Sequence, residues 1–560
     1  MTEHKINRLE AISQLTAAGE VYELEKIDVH GYPCRVFKNA PRTLGDLYRE
    51  NRSDVTFIVY ESERYTFEEM YQSSCKTAKI LVHDYDIKKG DRVAISMRNY
   101  PEWVMAFNAV TSIGAIAVAM NALWTTEEME YGLSHSGSRV LFADQERIDR
   151  VLPVYQELGI GLIAIRPNNT LPDDIPSLNH LLQAEPDCEM PQSEVSPDDD
   201  ATILYTSGST GHPKGAVSSH RNIISALLSW ELDGHAALKV LGIEMPNPEY
   251  PPATLLGVPL FHATGSHAVF LNSYRSQRRM VCMYKWDATL AAEHIEDERI
   301  SSFIGPAAMT GDLVEVARNT NRDLSSLASV GGGGAPRAPE QVKNIASTFS
   351  KAMPGTGWGM TETNAIGTGI GGEDYLNHPG SSGRCSAVLD IAIFDEDDTQ
   401  LPAGQRGELR VRGASIIRGY WNRPEANAIS FIDGWLCTGD VAYIDEEGYL
   451  YIVDRIKDLV IRGGENIGCA EVEAALLEHD DVREAAVYAV PDDRLGEEVG
   501  ATIYSSKDIS VEELKTFLAQ HIARFKIPRF FRFEPAPLPR IASGKINKRS
   551  LRESAVSELS

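Results

Sequence analysis

Apolar and polar positions alternate between two periods along most of the chain, and the switches between them mark its elements. Residues 55–60 form a β-branched and aromatic run with strand character. The next stretch puts Thr66 three residues before Glu69, the spacing of a helix capping box. A turn at Gly90 and Asp91 leads through Arg92 into a buried strand with the apolar run 93–95, residues 99–112 carry helical periodicity, and 113–120 read as a buried strand. A second capped helix is predicted near Thr126, with another strand at 139–143. Strand and helix alternate, the order of an α/β domain with a mostly parallel sheet. Residues 104–124 are long enough to span a membrane, but Asn108, Thr111, Ser112, Gly114 and Asn121 interrupt them. A helix followed by a buried strand accounts for that run better.

Further along, residues 167–200 turn to prolines and acids, with room for a short helix at 178–183; they read as a surface connection. Residues 234–252, rich in Pro and Gly, read by position as an insertion over one edge of the domain before a strand at 255–259. Residues 407–413 alternate as a structural strand. Towards the end, helical patterns at 471–477 and 511–522 flank a strand at 485–490, a compact α+β unit of about a hundred residues.

Composition narrows the setting. At 560 residues, the chain exceeds what one hydrophobic core supports, so two or more domains are expected. The balance of 54 basic against 80 acidic residues, a net charge of −26, opposes binding to nucleic-acid phosphates, and no nucleic-acid partner is expected. Seven cysteines, odd in number and without a C-x-x-C pair, fit a reducing, cytoplasmic setting and no structural zinc. The polar start of the chain lacks the apolar core of an export signal, and no integral membrane segment is expected.

Candidate chemistry concentrates first in Thr206-Ser207-Gly208-Ser209-Thr210-Gly211-His212-Pro213-Lys214-Gly215, directly after an apolar run. Its glycines allow successive amide groups to converge on an anion, four hydroxyls add donors, and Lys214 adds a mobile charge. The nucleotide-binding G-x-x-x-x-G-K-[ST] pattern is not met, because Pro213 precedes the lysine and Gly215 follows it. This is a different phosphate loop.

The stretch resembles the signature T-S-G-[ST]-T-G-x-P-K-G of the adenylate-forming superfamily, which includes acyl-CoA synthetases, peptide-synthetase adenylation domains and beetle luciferases. Other segments extend the resemblance in family order: Gly331 to Pro336, Gly357-Trp358-Gly359-Met360-Thr361-Glu362, Thr438-Gly439-Asp440, Asp454-Arg455-Ile456-Lys457-Asp458 and Pro539-Arg540-Ile541-Ala542-Ser543-Gly544-Lys545. The resemblance covers essentially the whole chain. It implies a large, multi-subdomain N-terminal α/β domain over 1–454 and a small, mobile α+β C-terminal domain over 455–560, hinged near Lys457. It also implies ATP, Mg²⁺ and coenzyme A as the co-substrates and cofactor, a small-molecule carboxylic acid as the partner substrate, and a homodimer as a compatible assembly.

By position, the resemblance assigns nucleotide contacts to Thr206, Ser207, Gly208, Ser209, Thr210, Gly211, Lys214, Gly334, Ala335, Pro336, Trp358, Gly359, Met360, Thr361, Asp440, Arg455 and Lys545. Trp358, where most relatives carry tyrosine, would stack on adenine, Thr361 would bond a phosphate oxygen, and Asp440 would accept the ribose hydroxyls. Glu362 would ligate magnesium, and Lys545 would reach the substrate carboxylate and α-phosphate. With Thr206 and Lys214, these two form the catalytic set. His262, at the end of Gly257-Val258-Pro259-Leu260-Phe261-His262, would gate the acyl tunnel and completes that set. Gly463, Gly464 and Glu465 would line the thiol tunnel. Two departures stand out: Cys469 where the family usually has proline, and Ile541 where it usually has a hydroxyl residue.

The implied reaction is AMP-forming ligation of a hydrophobic, medium- or long-chain acid to coenzyme A. Three rivals differ in chemistry. A stand-alone adenylation enzyme serving a carrier protein would usually show an acid after Phe261 if its substrate were an amino acid, and His262-Ala263-Thr264-Gly265-Ser266-His267 has none. A luciferase would need oxygen chemistry that these motifs do not address. A non-catalytic nucleotide sensor would have no use for both Glu362 and Lys545.

Overall fold

In the computed structural model, the structure describes residues 6–206, 213–243, 249–334, 337–463, 465–492, 494–541 and 544–559. Strand and helix alternate as the hydrophobic periods require. The run at 55–60 becomes the strand Thr56–Tyr60, and Thr66 caps the helix Phe67–His83 in a complete box with Glu69. The apolar stretch after residue 100 is the buried helix Pro101–Ser112 followed by the strand Ile116–Ala119. Among the described residues no helix is long and apolar enough to cross a membrane.

Among the described residues, three large sheets organise the molecule, beside a two-stranded pair, Leu24–Val29 with Tyr32–Phe37. One has seven strands; its parallel core runs Asp200–Thr206, Ile116–Ala119, Arg92–Ser96, Ser138–Asp144 and Gly161–Ile165, and Lys214–Ser219 and Gly419–Tyr420 continue it antiparallel at one edge. The second is larger. Its parallel block (Thr56–Tyr60, Arg279–Cys282, Ala253–Leu256, Ser302–Gly305, Ser329–Gly332, Met353–Thr356) passes into antiparallel strands that include Trp435–Ile444 and Tyr449–Arg455. The third, a five-stranded sheet, belongs to the small C-terminal domain and carries the hairpin Val460–Arg462/Glu465–Ile467 and the long strands Val482–Asp492 and Gly496–Ser505. The fold is mixed α/β, with a large N-terminal and a smaller C-terminal domain. Within each parallel block the strands share one direction, so their C-terminal ends lie along one edge of that sheet.

Residues 234–252 begin inside regular structure: the helix His220–Leu241 runs straight through Gly234. Alanines, leucines and Lys239 on either side are strong helix formers, and together they outweigh the roughly 1 kcal/mol that a helical glycine costs. Residues 244–248 lie outside the described residues.

Candidate active site

The phosphate-loop sequence joins Asp200–Thr206 to the returning strand Lys214–Ser219, with Thr206 opposite Lys214 and the Thr206 hydroxyl donating to the Lys214 carbonyl at 3.3 Å. Ser207, Gly208, Ser209, Thr210 and Gly211 fall outside the described residues, so the loop is defined by its two ends. Lys214 Nζ lies 4.3 Å from the centroid of the Tyr420 ring.

Glu362 occupies a tight helical turn, Thr361–Thr363, that leads into two residues with left-handed backbone, Asn364 (φ 58°) and Ala365 (φ 64°). Met360 closes this turn, its carbonyl accepting from the Thr363 and Ala365 amides. Gly359 must be glycine, because a Cβ there would lie 2.5 Å from the Ala365 carbonyl oxygen. The Asn364 side chain accepts from Ser218 Oγ at 2.9 Å and donates to the Ser415 carbonyl at 2.8 Å, which fixes the turn against both neighbouring segments. Glu362 itself is 6 % exposed, and Tyr420 donates to its Oε1 at 2.7 Å. Oε2 has no partner among the described residues.

Magnesium commonly takes one or two protein carboxylates and fills its remaining positions with substrate phosphates and water. A single carboxylate with one unpaired oxygen, linked to Lys214 through Tyr420, fits that requirement. Among the described residues no cluster of three or more His, Cys, Asp or Glu side chains offers an all-protein cage.

Trp358 and Asp440 act as one unit. The indole Nε1 donates to Asp440 Oδ2 at 2.7 Å, and Arg455 Nε pairs with Oδ1 at 2.5 Å. Burial pushes the Asp440 carboxyl above its usual range, with Arg455, the Trp358 hydrogen bond and Lys545 pulling it back. Trp358 is 9 % exposed and Gly367 presses on one ring face, where a Cβ would come within 2.5 Å of the indole. Orientation of Asp440 is thus a second task for this side chain, made possible by the N–H that tryptophan has and tyrosine lacks.

Lys545 reaches this cluster from the small domain. Its backbone closes a turn in which its carbonyl accepts from the Ile541 amide at 2.8 Å. Its side chain lies against Gly334, whose Cβ, if present, would be 3.4 Å from Lys545 Cε. Burial and the Arg455 charge push the Lys545 pKa down, and Asp440 pushes it up. His262 feels the same charge: burial first and then Lys545 lower its pKa to about 4, so its ring is neutral. Its Nε2 is buried without a partner among the described residues. His262 precedes a wide, π-helical segment, Thr264–Leu271, a feature that periodicity does not announce.

The structure therefore brings together Thr206, Lys214, Gly334, Trp358, Gly359, Met360, Thr361, Glu362, Asp440, Arg455, Lys545 and His262. Gly463 and Glu465 do not join them; they flank the tip of the small-domain hairpin, where the Gly463 amide donates to the Leu495 carbonyl at 2.9 Å. Ala335, Pro336 and Gly464 lie outside the described residues, as does the Lys457 side chain.

Three contributors were missed in the sequence. Tyr420 and Asn364 belong to segments that look like ordinary strand and turn. Arg337 is buried beneath the glycine run, where its guanidinium donates to Thr310 Oγ1 at 3.1 Å and to the Gly355 carbonyl at 3.3 Å. A lone arginine after Pro336 gives no sequence signal of that.

Residues 48–421 match the family model described as AMP-binding enzyme, and residues 471–545 match the AMP-binding enzyme C-terminal domain. The chain belongs to the AMP-binding enzyme family. A long-chain-fatty-acid–CoA ligase of Mycobacterium tuberculosis is 32 % identical over 498 residues, covering 88 % of this chain and 93 % of the relative. A 4-coumarate–CoA ligase of Vanilla planifolia is 32 % identical over 481 residues, covering 83 % of this chain and 84 % of the relative. Among solved structures, the o-succinylbenzoate coenzyme A synthetase of Bacillus subtilis in complex with ATP and magnesium ion is 28 % identical with a TM-score of 0.76, covering 92 % of this chain and 99 % of that one. Within this AMP-binding enzyme family, the named acids differ from one CoA ligase to the next.

Proposed function

We propose that this protein is an AMP-forming ligase that activates a hydrophobic, medium- or long-chain carboxylic acid with ATP and passes the acyl group to coenzyme A in the cytoplasm. The observation that carries the reading is the meeting of Lys545, from the small domain, with Gly334, Asp440 and His262 of the large one, beside Arg455 at the boundary between the two. A site that joins two anions must first cancel their charge, and Lys214 of the large domain and Lys545 of the small one supply two cations. A magnesium ion held by Glu362 would neutralise phosphate oxygens further.

In the first step, an oxygen of the substrate carboxylate bonds to the α-phosphorus, the bond to pyrophosphate breaks, and acyl-AMP forms. Lys214 and Lys545 stabilise charge on the phosphates, Asp440 accepts from the ribose, and the neutral His262 bounds the acyl site without adding charge. In the second step, the coenzyme A thiolate attacks the acyl carbonyl and AMP leaves. We assign this step to the hairpin tip with Gly463, Gly464 and Glu465, brought in by rotation of 455–560 about Lys457. The choice of acid is supported by the fatty-acid relative at 32 % identity and by the apolar run Phe261, Val258 and Leu260 next to His262. Isotope exchange between ATP and pyrophosphate should appear with acids of medium or long chain, and mass spectrometry with pooled acids should identify the thioester. No exchange with any carboxylic acid would overturn the reading.

A further inference from the structure

We propose that Tyr420 is a positioning residue of the adenylation step: it aims Glu362 at the metal through its hydroxyl and holds Lys214 at the phosphates through its ring. This rests on the reading of Glu362 as the magnesium ligand. Tyr420 is buried, and its one polar atom donates to Glu362 Oε1 at 2.7 Å. Its ring centroid is 4.3 Å from Lys214 Nζ, within the range of a cation–π contact. One side chain therefore touches both the candidate metal ligand and the cation of the phosphate loop, residues 148 positions apart by their numbers (362 less 214).

The backbone around Tyr420 is held just as firmly. The Ile417 amide donates to the Glu362 carbonyl at 3.0 Å, the Arg418 amide to the Val217 carbonyl at 3.1 Å, and the Trp421 amide to the Gly215 carbonyl at 2.8 Å. Residues 417–421 thus bridge the Glu362 turn to the strand that begins at Lys214. The Asn427 side chain clamps Tyr420 from the other side, accepting from its amide at 2.6 Å and donating to its carbonyl at 3.1 Å. With one lone pair of Oε1 committed to the hydroxyl, the carboxylate is held in orientation and Oε2 is its oxygen without a partner among the described residues. A hydroxyl that holds a ligating carboxylate in this way is worth roughly 10-fold or more in metal affinity.

The test is a titration of Mg²⁺ into enzyme saturated with a non-hydrolysable ATP analogue, followed by calorimetry, for wild type, Tyr420→Phe, Tyr420→Leu and Glu362→Gln. Tyr420→Phe keeps the ring and should raise the magnesium half-saturation roughly 10-fold while leaving metal-free binding of the analogue unchanged. Tyr420→Leu, which also removes the ring, should weaken metal-free binding by about 3- to 10-fold. If Tyr420→Phe titrates like wild type while Glu362→Gln is shifted, Tyr420 does not position the ligand and the inference fails. Equal metal-free binding in the Phe and Leu variants would overturn the Lys214 arm. If Glu362→Gln itself titrates like wild type, the fault lies with the magnesium reading of Glu362.

Discussion

Lys545 shows how much of this site depends on single side chains meeting across long stretches of sequence. Desolvation and Arg455 lower its pKa, so its ammonium is lost at a lower pH than that of an ordinary lysine. In the proposed first step the charged form stabilises the reacting phosphate, so acyl-AMP formation should fall as pH rises through the depressed value. Lys545→Arg should move that alkaline limb out of range in a pH profile of pyrophosphate exchange, because a guanidinium keeps its proton there. A limb unchanged by the arginine would assign the titration to another group. A second expectation concerns Trp358, whose N–H orients Asp440. Trp358→Phe keeps an aromatic ring and removes the donor, and should raise the KM for ATP by roughly 10-fold, the order expected for a hydrogen bond to a charged partner. An ATP KM within twofold of wild type would show that the bond has no part in binding. The residues with motif context were readable from the sequence, and Thr206, Lys214, Gly334, Glu362, Asp440 and Lys545 do converge. The Trp358–Asp440 and Tyr420–Glu362 bonds were not readable, because each joins segments tens of residues apart and no local pattern encodes the pairing.

At the scale of elements, periodicity foretold strands and capped helices well where local and tertiary preferences agree. It gave no sign that the helix His220–Leu241 continues through Gly234, or of the π-helical segment after His262. Cys469 is instructive. The helix Cys469–Leu477 begins there without the usual proline and without a side-chain cap of its own. Asp454, at the end of the preceding large-domain strand, accepts from the Cys469 amide and, at 3.3 Å, from the Ala470 amide. Its carboxylate thus meets the positive end of a helix of the small domain. Asp454→Ala should destabilise the small domain by about 1–2 kcal/mol, the range for loss of a helix cap, read from urea unfolding followed by circular dichroism. A change below about 0.3 kcal/mol would mean that solvent replaces the cap without loss, as it does at exposed helix ends.

For the whole molecule, burial also sets a pH dependence of stability. His267 is pushed down to about 3 by burial, and neither ring nitrogen has a partner among the described residues. The unfolded chain takes up this proton below about 6.5 and the folded protein does not, so stability falls as pH drops from that value towards 3. The slope is at most about 1.4 kcal/mol per pH unit for one such group. His267→Leu should therefore lose less stability than wild type between pH 7 and pH 5 in thermal melts, and equal losses would exclude the effect.

The pose seen here joins the two domains at Lys545 and at Arg540, which lies 3.5 Å from Asp312 while also pairing with Glu484 of its own domain. In this pose the Gly463 amide is paired with the Leu495 carbonyl of its own domain, and the proposed mechanism gives the second step to a different arrangement. The most direct measurement follows the two half-reactions separately in Lys545→Ala and Lys457→Pro. Lys545→Ala should slow acyl-AMP formation by roughly 10²-fold or more and leave thioester formation from supplied acyl-AMP nearly intact; Lys457→Pro, by stiffening the hinge, should do the reverse. If both substitutions slow both half-reactions alike, the account of two poses and one moving domain is contradicted.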